Sequence, residues 1–330
     1  MIRPAWALRS PEQDVGAQIL RIRALPDPSR HDYPAQASET IDGRRWGEED
    51  DVPLLFVEGA MLSHPGNVRD SNEDAVAFRI AAPPDGLPAT PDLIAPDLIA
   101  PTLIAIVADG MGGHAAGEVA SRIAVDVVLP ALAAPVAPIP SALAQCMADA
   151  NHAIFTRGAD DPACAGMGTT CTVLCLQDDH LFLAHIGDSR AYQYRDGALR
   201  QLSEDHSVVS ELVRAGLMTA AEAKNSPDRN VILRALGLKS DAKPLIWDSG
   251  LPVQAQDSFV LCSDGLTDLV DDTTIAATIA RLAPHAACQC LIDAAIAAGG
   301  FDNISVGVFT LRAHADNDAD ERTVRLAAKT

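Results

Sequence analysis

The chain has 330 residues, 48% of them hydrophobic, so it is long enough to bury one large core or two ordinary ones. A formal net charge of −20 argues against a protein that binds nucleic acid or anionic lipid through a basic surface. The seven cysteines include no Cys-x-x-Cys pair, the N-terminus lacks the apolar stretch of a signal peptide, and no apolar run approaches the ~20 residues of a membrane span, so we expect a cytoplasmic protein without membrane insertion.

Residues 1–51 mix prolines, arginines and acids, and are predicted to be an N-terminal extension outside the main core. Within them, Ser10–Gln13 resembles a capping box with proline at the first helical position, and Val15, Ile19 and Ile22 follow at helical spacing. This pattern fits a short helix, and the composition fits a partly disordered tail equally well.

Residues 52–313 have the pattern of one domain, and a short tail at 314–330 follows them. A proline-rich loop is predicted at about 83–101, within a stretch where a five-residue unit beginning with proline occurs three times. Proline at every fifth position interrupts helices and central strands, so the first two units are assigned to a surface loop and the third leads into a buried strand.

The elements of this domain mix helices with antiparallel hairpins. In chain order, the patterns predict a buried strand at 104–108, a helix at 117–129, a helix from an N-cap at Ser141 to about 157, an antiparallel meander at 169–202, a polar helical segment at 206–240, a strand at 259–262, two alanine-rich helices within 272–298 and a strand at 304–311. Hairpins in place of regular alternation of strand and helix indicate an α+β fold with antiparallel sheets.

Aspartates recur where predicted strands begin or end. Asp109, Asp188 and Asp264 each follow an apolar run, and Asp302 immediately precedes the last strand. If these strands are neighbours, four carboxylates gather at one edge of the sheets. Such a cluster would repel itself and raise its own pKa values, and bound divalent cations are the natural compensation.

A fifth segment, Gly66–Asp74, places Arg69 four residues before the acid pair Glu73 and Asp74. An arginine fork matches two phosphate oxygens, whereas carboxylates bind a metal or its waters. The alternative for this segment taken alone is a surface loop that neutralises itself through a salt bridge.

Seven short motifs occur in an order that resembles the PP2C family of metal-dependent protein phosphatases, and the bacterial serine/threonine branch in particular. The resemblance covers about residues 54–312. The motifs are Val68-Arg69-x-x-Asn72-Glu73-Asp74, Asp109-Gly-Met-Gly-Gly-His114, Gly168-Thr-Thr170, Gly187-Asp-Ser-Arg190, Asp205-His206-Ser207, Ser263-Asp264-Gly265 and Asp302-Asn303.

The resemblance implies a four-layer αββα sandwich, in which two antiparallel sheets are flanked by helices and a metal cluster lies at one end. It implies that Asp109 bridges two Mn²⁺ or Mg²⁺ ions, that Asp264 and Asp302 complete one site, and that the Gly110 carbonyl serves the other. Bacterial members bind a third, weaker ion, for which Asp188 and Asp264 are the matching candidates.

The resemblance also assigns Glu73 and Asp74 to metal-bound waters, Arg69 to the substrate phosphate, and residues 206–240 to a flap beside the site. The implied reaction is hydrolysis of phosphoserine and phosphothreonine in proteins, by a metal-bridged hydroxide that attacks phosphorus without a covalent intermediate. The implied partners are phosphorylated proteins and a serine/threonine kinase that the enzyme opposes, and we expect a monomer.

Two positions depart from the family pattern. Met111 stands where eukaryotic relatives have a histidine, so their proposed general acid cannot be carried over, and a metal-bound water is favoured over His114. In the flap, Lys224–Pro227 stands where relatives often have a histidine-proline pair, which leaves flap conformation and substrate choice open.

Three other functions fit parts of the pattern. A non-enzymatic relative would keep the fold to bind phosphoproteins, but it would be marked by loss of a bridging carboxylate, and Asp109, Asp264 and Asp302 are all retained. A calcium-binding module would carry closely alternating acids, which are missing. A phosphodiesterase would usually recruit more histidines than these motifs contain.

Overall fold

The computed structural model describes residues 13–21, 55–80, 101–112, 115–134 and 138–313. The strands are β1 (Gln13–Arg21), β2 (Leu55–His64), β3 (Asp74–Ile80), β4 (Leu103–Met111), β5 (Gly168–Thr169), β6 (Cys171–Gln177), β7 (His180–Ile186), β8 (Arg190–Arg195), β9 (Ala198–Gln201), β10 (Leu245–Ile246), β11 (Leu251–Pro252), β12 (Ser258–Cys262) and β13 (Ile304–Ala313). The helices are α1 (Ala115–Ala133), α2 (Ile139–Asp160), α3 (Val208–Arg214), α4 (Ala220–Lys224), α5 (Asp264–Thr267), α6 (Asp272–Ile279) and α7 (Pro284–Ala297).

The strands form two antiparallel sheets. The first sheet has the order β1-β2-β13-β12-β8-β9, and the second has the order β10-β7-β6-β4-β3, with β11 on β7 and β5 on β4. The segment 169–202 was expected to be one meander, but β6 and β7 belong to the second sheet and β8 and β9 to the first. The chain changes sheets at Gly187, whose φ of +109° favours glycine and whose Cβ, if present, would lie 2.5 Å from the Thr170 side chain.

Three apolar layers hold the molecule together. Side chains of both sheets interdigitate between them, as at Phe78 and Phe309, whose rings meet edge to face with centroids 5.5 Å apart. The outer face of the second sheet packs on α1 and α2, and the outer face of the first packs on α6 and α7. Apolar runs on buried strands therefore produce the predicted four-layer αββα sandwich.

The N-terminal segment contains a strand where the spacing allowed a short helix. Residues 13–21 form β1, which runs antiparallel to β2 with Gln13 opposite Ser63 and Arg21 opposite Phe56. Without β1, the β2 backbone would present a row of unpaired N–H and C=O groups at the sheet edge, and this pairing outweighs the local helical spacing. The rest of the predicted extension, nearly all of the proline-rich loop and the C-terminal tail lie outside the described residues.

Two helical predictions also changed in extent. Helix α2 begins at Ile139 after Pro138, ahead of the expected cap at Ser141. In the polar segment 206–240 only α3 and α4 are helical, and a capping box formed by Thr219 and Glu222 starts α4. In the described part of the chain, no helix combines the length and the apolar character that crossing a bilayer requires.

The polar segment 206–240, the flap, is fastened at its base. The Leu233 N–H donates to the His206 carbonyl at 2.7 Å, and the Leu236 backbone pairs with Thr169 in both directions. The buried amide of Asn151 on α2 accepts from the Gly237 N–H at 2.8 Å and donates to carbonyls of the two residues after Leu238. These bonds set where the flap leaves and rejoins the domain.

Candidate active site

The predicted acids meet at one end of the two sheets. Asp74 at the start of β3 lies opposite Asp109 near the end of β4 in the antiparallel register. Asp264 follows β12 and Asp302 shortly precedes β13, and these two strands are neighbours in the first sheet. The predicted gathering at a sheet edge is therefore present, with carboxylates drawn from both sheets.

A cleft of about 370 Å³ opens at this end. Its lining residues are Arg69, Glu73, Asp109, Gly110, Met111, Gly112, Asn230, Ile232, Asp264, Asp302 and Asn303. Six of the eight residues singled out from the sequence line it. Asp74 is buried behind the cleft, and Asp188 follows β7 at the point where the chain changes sheets.

Asp74 is held at one oxygen only. Its Oδ2 accepts hydrogen bonds from the Ser263 hydroxyl at 2.8 Å and the Ser305 hydroxyl at 2.7 Å, whereas its Oδ1 is buried without a partner. Burial raises the pKa of Asp74 to about 7, and the nearby charges of Asp264 and Asp302 add to the effect against the two serine bonds. An oxygen of this kind is suited to a cation or to water held by one.

The neighbouring carboxylates have pKa values shifted in the same direction. Burial, followed by the charges of Asp74, Asp264 and Asp188, raises the pKa of Asp109 well above its ordinary value. Burial and the Asp268 charge raise the pKa of Asp264 to about 6, and burial and the Asp264 charge raise that of Asp188. The Oδ1 atoms of Asp188 and Asp264 are buried without hydrogen-bond partners.

This donor set fits hard divalent cations, because it offers several carboxylate oxygens that repel one another and lack other partners. Among the described residues, however, no three His, Cys, Asp or Glu side chains already converge as a ready ligand set. Some of the carboxylates have other partners instead. Asp109 shares a hydrogen bond with Asp264, and Asp302 accepts one from Arg69. The predicted ligand roles remain predictions.

Arg69 lies at the mouth of the cleft. Its Nη2 donates to Asp302 Oδ2 at 2.7 Å, and its side chain keeps 50% of its surface exposed. The pKa of Arg69 is raised first by this hydrogen bond, so the guanidinium is charged at any working pH. The remaining N–H groups of the guanidinium can still donate to a phosphate oxygen.

Asn303, the second residue of the Asp302-Asn303 motif, anchors the loop that carries Arg69. Its Oδ1 accepts from the Glu73 N–H at 2.8 Å, and its Nδ2 donates to the carbonyls of Pro65 and Ser71 at 3.0 and 2.9 Å. One amide thus fixes both ends of the loop that carries Arg69.

The close approach of the α1 backbone requires glycine at position 110. A Cβ there would lie 2.1 Å from the Gly117 carbonyl in α1, and the Gly110 N–H donates to the Glu73 carbonyl at 3.2 Å. The start of α1 therefore packs directly on the loop that presents Asp109, which a larger residue would push apart.

The hydroxyls behind the carboxylates were missed by the sequence analysis. Thr170 Oγ1 accepts from the Asp109 N–H at 2.9 Å and shares a hydrogen bond with Ser189 Oγ at 2.7 Å, and both residues are fully buried. Ser305, which bonds Asp74, reads in the sequence as one more residue of the last strand. The motif around Thr170 was a usable signal, whereas nothing local marks Ser305.

The base of the flap is tied to the same end of the sheets. Ser207 caps α3, and Asp205 is held by Arg190 at 2.6 Å. His206 stacks on His185 with ring centroids 4.9 Å apart, and burial lowers the pKa of both imidazoles. These side chains organise the flap base and do not line the cleft.

Comparison with known proteins points to one group. Residues 97–291 match the family model described as protein phosphatase 2C. The chain is 37% identical over 207 residues to the serine/threonine phosphatase stp of Listeria monocytogenes, covering 61% of this chain and 81% of that protein. It is 41% identical over 209 residues to the serine/threonine protein phosphatase PstP of Mycobacterium tuberculosis, covering 61% of this chain and 39% of that protein.

Solved structures agree with the sequence matches. The crystal structure of the Mycobacterium tuberculosis phosphatase PstP aligns with a TM-score of 0.67 at 34% identity, covering 78% of this chain and 99% of that one. The catalytic domain of PstP in complex with two manganese ions aligns with a TM-score of 0.66 at 33% identity, covering 78% of this chain and 99% of that one.

Proposed function

We propose, from the premise that this chain belongs to the protein phosphatase 2C family of serine/threonine phosphatases, that it transfers the phosphoryl group of phosphoserine and phosphothreonine in proteins directly to water. The observation that carries this mechanism is the carboxylate cluster at and behind the cleft, in which three buried oxygens lack partners, with Arg69 at the mouth. The binding-only alternative predicted loss of a bridging carboxylate, and the cluster is intact.

In this proposal, Asp109, Asp264 and Asp302 hold two Mn²⁺ or Mg²⁺ ions together with the Gly110 carbonyl, and Asp188 contributes to a weaker third site. The support is that carboxylates of this kind line the cleft or lie just behind it, and that a relative's solved structure contains two manganese ions. When bound, such a pair lowers the pKa of a shared water and neutralises phosphoryl charge.

The chain's own residues position the reaction. Arg69 would bind the phosphate oxygens and orient phosphorus towards the cluster, and its bond to Asp302 would keep the guanidinium in place before substrate arrives. Glu73 and Asp74 would fix ordered water, Asp74 through its unpartnered Oδ1. Direct transfer to water needs no nucleophilic side chain. The sequence has no Cys-x5-Arg phosphatase loop, which agrees with this.

No side chain of the cleft is assigned as the general acid that protonates the leaving oxygen. No histidine is among the cleft residues in the described ranges, and His114 lies outside them. Met111, which stands where eukaryotic relatives have histidine, lines the cleft and cannot donate a proton. We propose that the physiological substrates are phosphorylated proteins and that the enzyme opposes a serine/threonine kinase.

The test is metal-dependent turnover of the full chain. With Mn²⁺ or Mg²⁺ the protein should hydrolyse p-nitrophenyl phosphate and phosphothreonine peptides, and a chelator should stop it. Asp109→Asn should lower kcat by on the order of a hundredfold or more, whereas Asp126→Asn, an exposed carboxylate on α1, should leave it unchanged. Full activity of Asp109→Asn, or turnover that persists in chelator, would refute the proposal.

A further inference from the structure

Two exposed apolar residues directly precede cleft residues in the chain. Val68 and Phe301 each keep 62% of their surface exposed, and together we call them the apolar rim. Val68 immediately precedes Arg69, and Phe301 immediately precedes Asp302. Because Arg69 and Asp302 are joined at 2.7 Å, the two rim residues lie on adjoining segments at the same border of the cleft.

The backbone beneath the rim is held firmly. The Asn67 N–H donates to the Gly300 carbonyl at 2.7 Å, and its side-chain amide donates to the carbonyls of Ile296 and Gly299, each at 3.1 Å. These bonds join the loop before Arg69 to the end of α7. The rim is therefore a preorganised surface, and contact with it would not incur the cost of ordering a loose loop.

An extended peptide whose phosphoryl group reaches Arg69 can run over this border. The phosphoryl group has to reach Arg69, and residues of an extended peptide follow at about 3.3 Å each, so side chains one or two residues away lie within about 7 Å along the chain. The rim residues fall within the same span, because they directly precede Arg69 and Asp302 in the chain. The two rim side chains offer apolar surface and no hydrogen-bonding group, so they favour an apolar neighbour.

We infer that the apolar rim is a specificity subsite, which binds an apolar side chain of the protein substrate one or two residues from the phosphoresidue. This inference rests on the proposed function, because it places the phosphate at Arg69. Exposed Asp70, next to Arg69, supplies the competing outcome, since it would favour a basic neighbour instead.

The experiment compares phosphothreonine peptides that differ at one position. Leucine, lysine or glycine is placed at each of the two positions on either side of phosphothreonine, and kcat/KM is measured with Mn²⁺ for the parent protein, Val68→Ser, Phe301→Ala and the double variant. The readout is the ratio of kcat/KM for the leucine and glycine peptides. p-Nitrophenyl phosphate has no flanking residues, so its turnover monitors the phosphate site separately.

The parent should prefer leucine over glycine by about fivefold at one or more positions, mainly through KM, because the contact is made before and during reaction alike. The rim variants should bring this ratio close to one. Leu282→Ala, which removes an apolar side chain of 40% exposure beyond the other end of α7, should keep the parental ratio.

Other results would overturn the inference. A parent that is active on p-nitrophenyl phosphate but indifferent to leucine, or that prefers lysine, contradicts an apolar subsite. An unchanged leucine preference in the double variant would show that another part of the protein recognises leucine. A parent inactive on p-nitrophenyl phosphate with every metal refutes the proposed function itself, which is a distinct result.

Discussion

Replacing Thr170 by valine would remove the hydroxyl that joins Asp109 to Ser189 while keeping the shape of the side chain. In the parent, the Asp109 N–H donates to this hydroxyl at 2.9 Å, and the hydroxyl bonds Ser189 Oγ at 2.7 Å. Both threonine and serine are fully buried, so water cannot substitute. An unsatisfied buried donor costs about 1–3 kcal/mol, and with the serine bond lost as well we expect about 2–3 kcal/mol of destabilisation.

Such a loss corresponds to a fall in Tm of roughly 4–6 °C for a domain of this size, which thermal unfolding in chelator would detect. We also expect kcat with Mn²⁺ to fall about tenfold, because the Asp109 N–H would lose its partner and small misplacements of catalytic groups are costly. The bonds to the Asp109 carbonyl from the Thr170 N–H and the Thr169 hydroxyl would remain. Thr170→Ser is the matched control. It keeps the hydroxyl and should retain most of kcat despite losing a buried methyl group.

The result that would refute this reasoning is a Thr170→Val protein with parental Tm and parental kcat. A lower Tm with unchanged kcat would limit Thr170 to folding. A fall in kcat that Thr170→Ser does not restore would show that side-chain packing, and not the hydroxyl, positions Asp109.

Three further predictions concern the phosphate site, the cluster and the flap. Arg69→Ala should raise KM for p-nitrophenyl phosphate about tenfold or more through loss of the guanidinium fork, and an unchanged KM in steady-state kinetics would exclude that role. The folded pKa of Asp74 is raised to about 7 and that of Asp264 to about 6, above the ~3.9 of an unfolded aspartate. At pH values between about 4 and 7, the metal-free folded protein therefore binds more protons than the unfolded chain. Its stability should therefore fall as pH rises from about 4 to 7, so in chelator Tm should drop over this interval and Asp74→Asn should flatten the decrease. Asn151→Ala should leave the Gly237 N–H unpaired and destabilise the protein by about 2 kcal/mol, with faster amide exchange at the flap stem; exchange equal to the parent's would show that the flap is held elsewhere.

Local patterns in the chain identified much of the site before any strand was placed. Apolar runs mark buried strands, and a carboxylate directly beyond such a run must lie at the end of a strand. Asp109 and Asp264 could be predicted for this reason. The capping box at Thr219 was equally visible, because its hydrogen bonds join residues three apart. Features whose partners are close in sequence are encoded locally.

Tertiary structure decided the rest. Residues 13–21 carry helical spacing but form a strand, because β2 offers an unpaired edge that only the folded sheet creates. Likewise, Ser305 bonds Asp74 across 231 positions of sequence, and Asn303 holds the Arg69 loop from 232 positions beyond Ser71. A hydroxyl or amide within an ordinary stretch carries no local sign of its partner, so its role arises when two sheets pack and bring distant backbone and side chains within hydrogen-bonding distance.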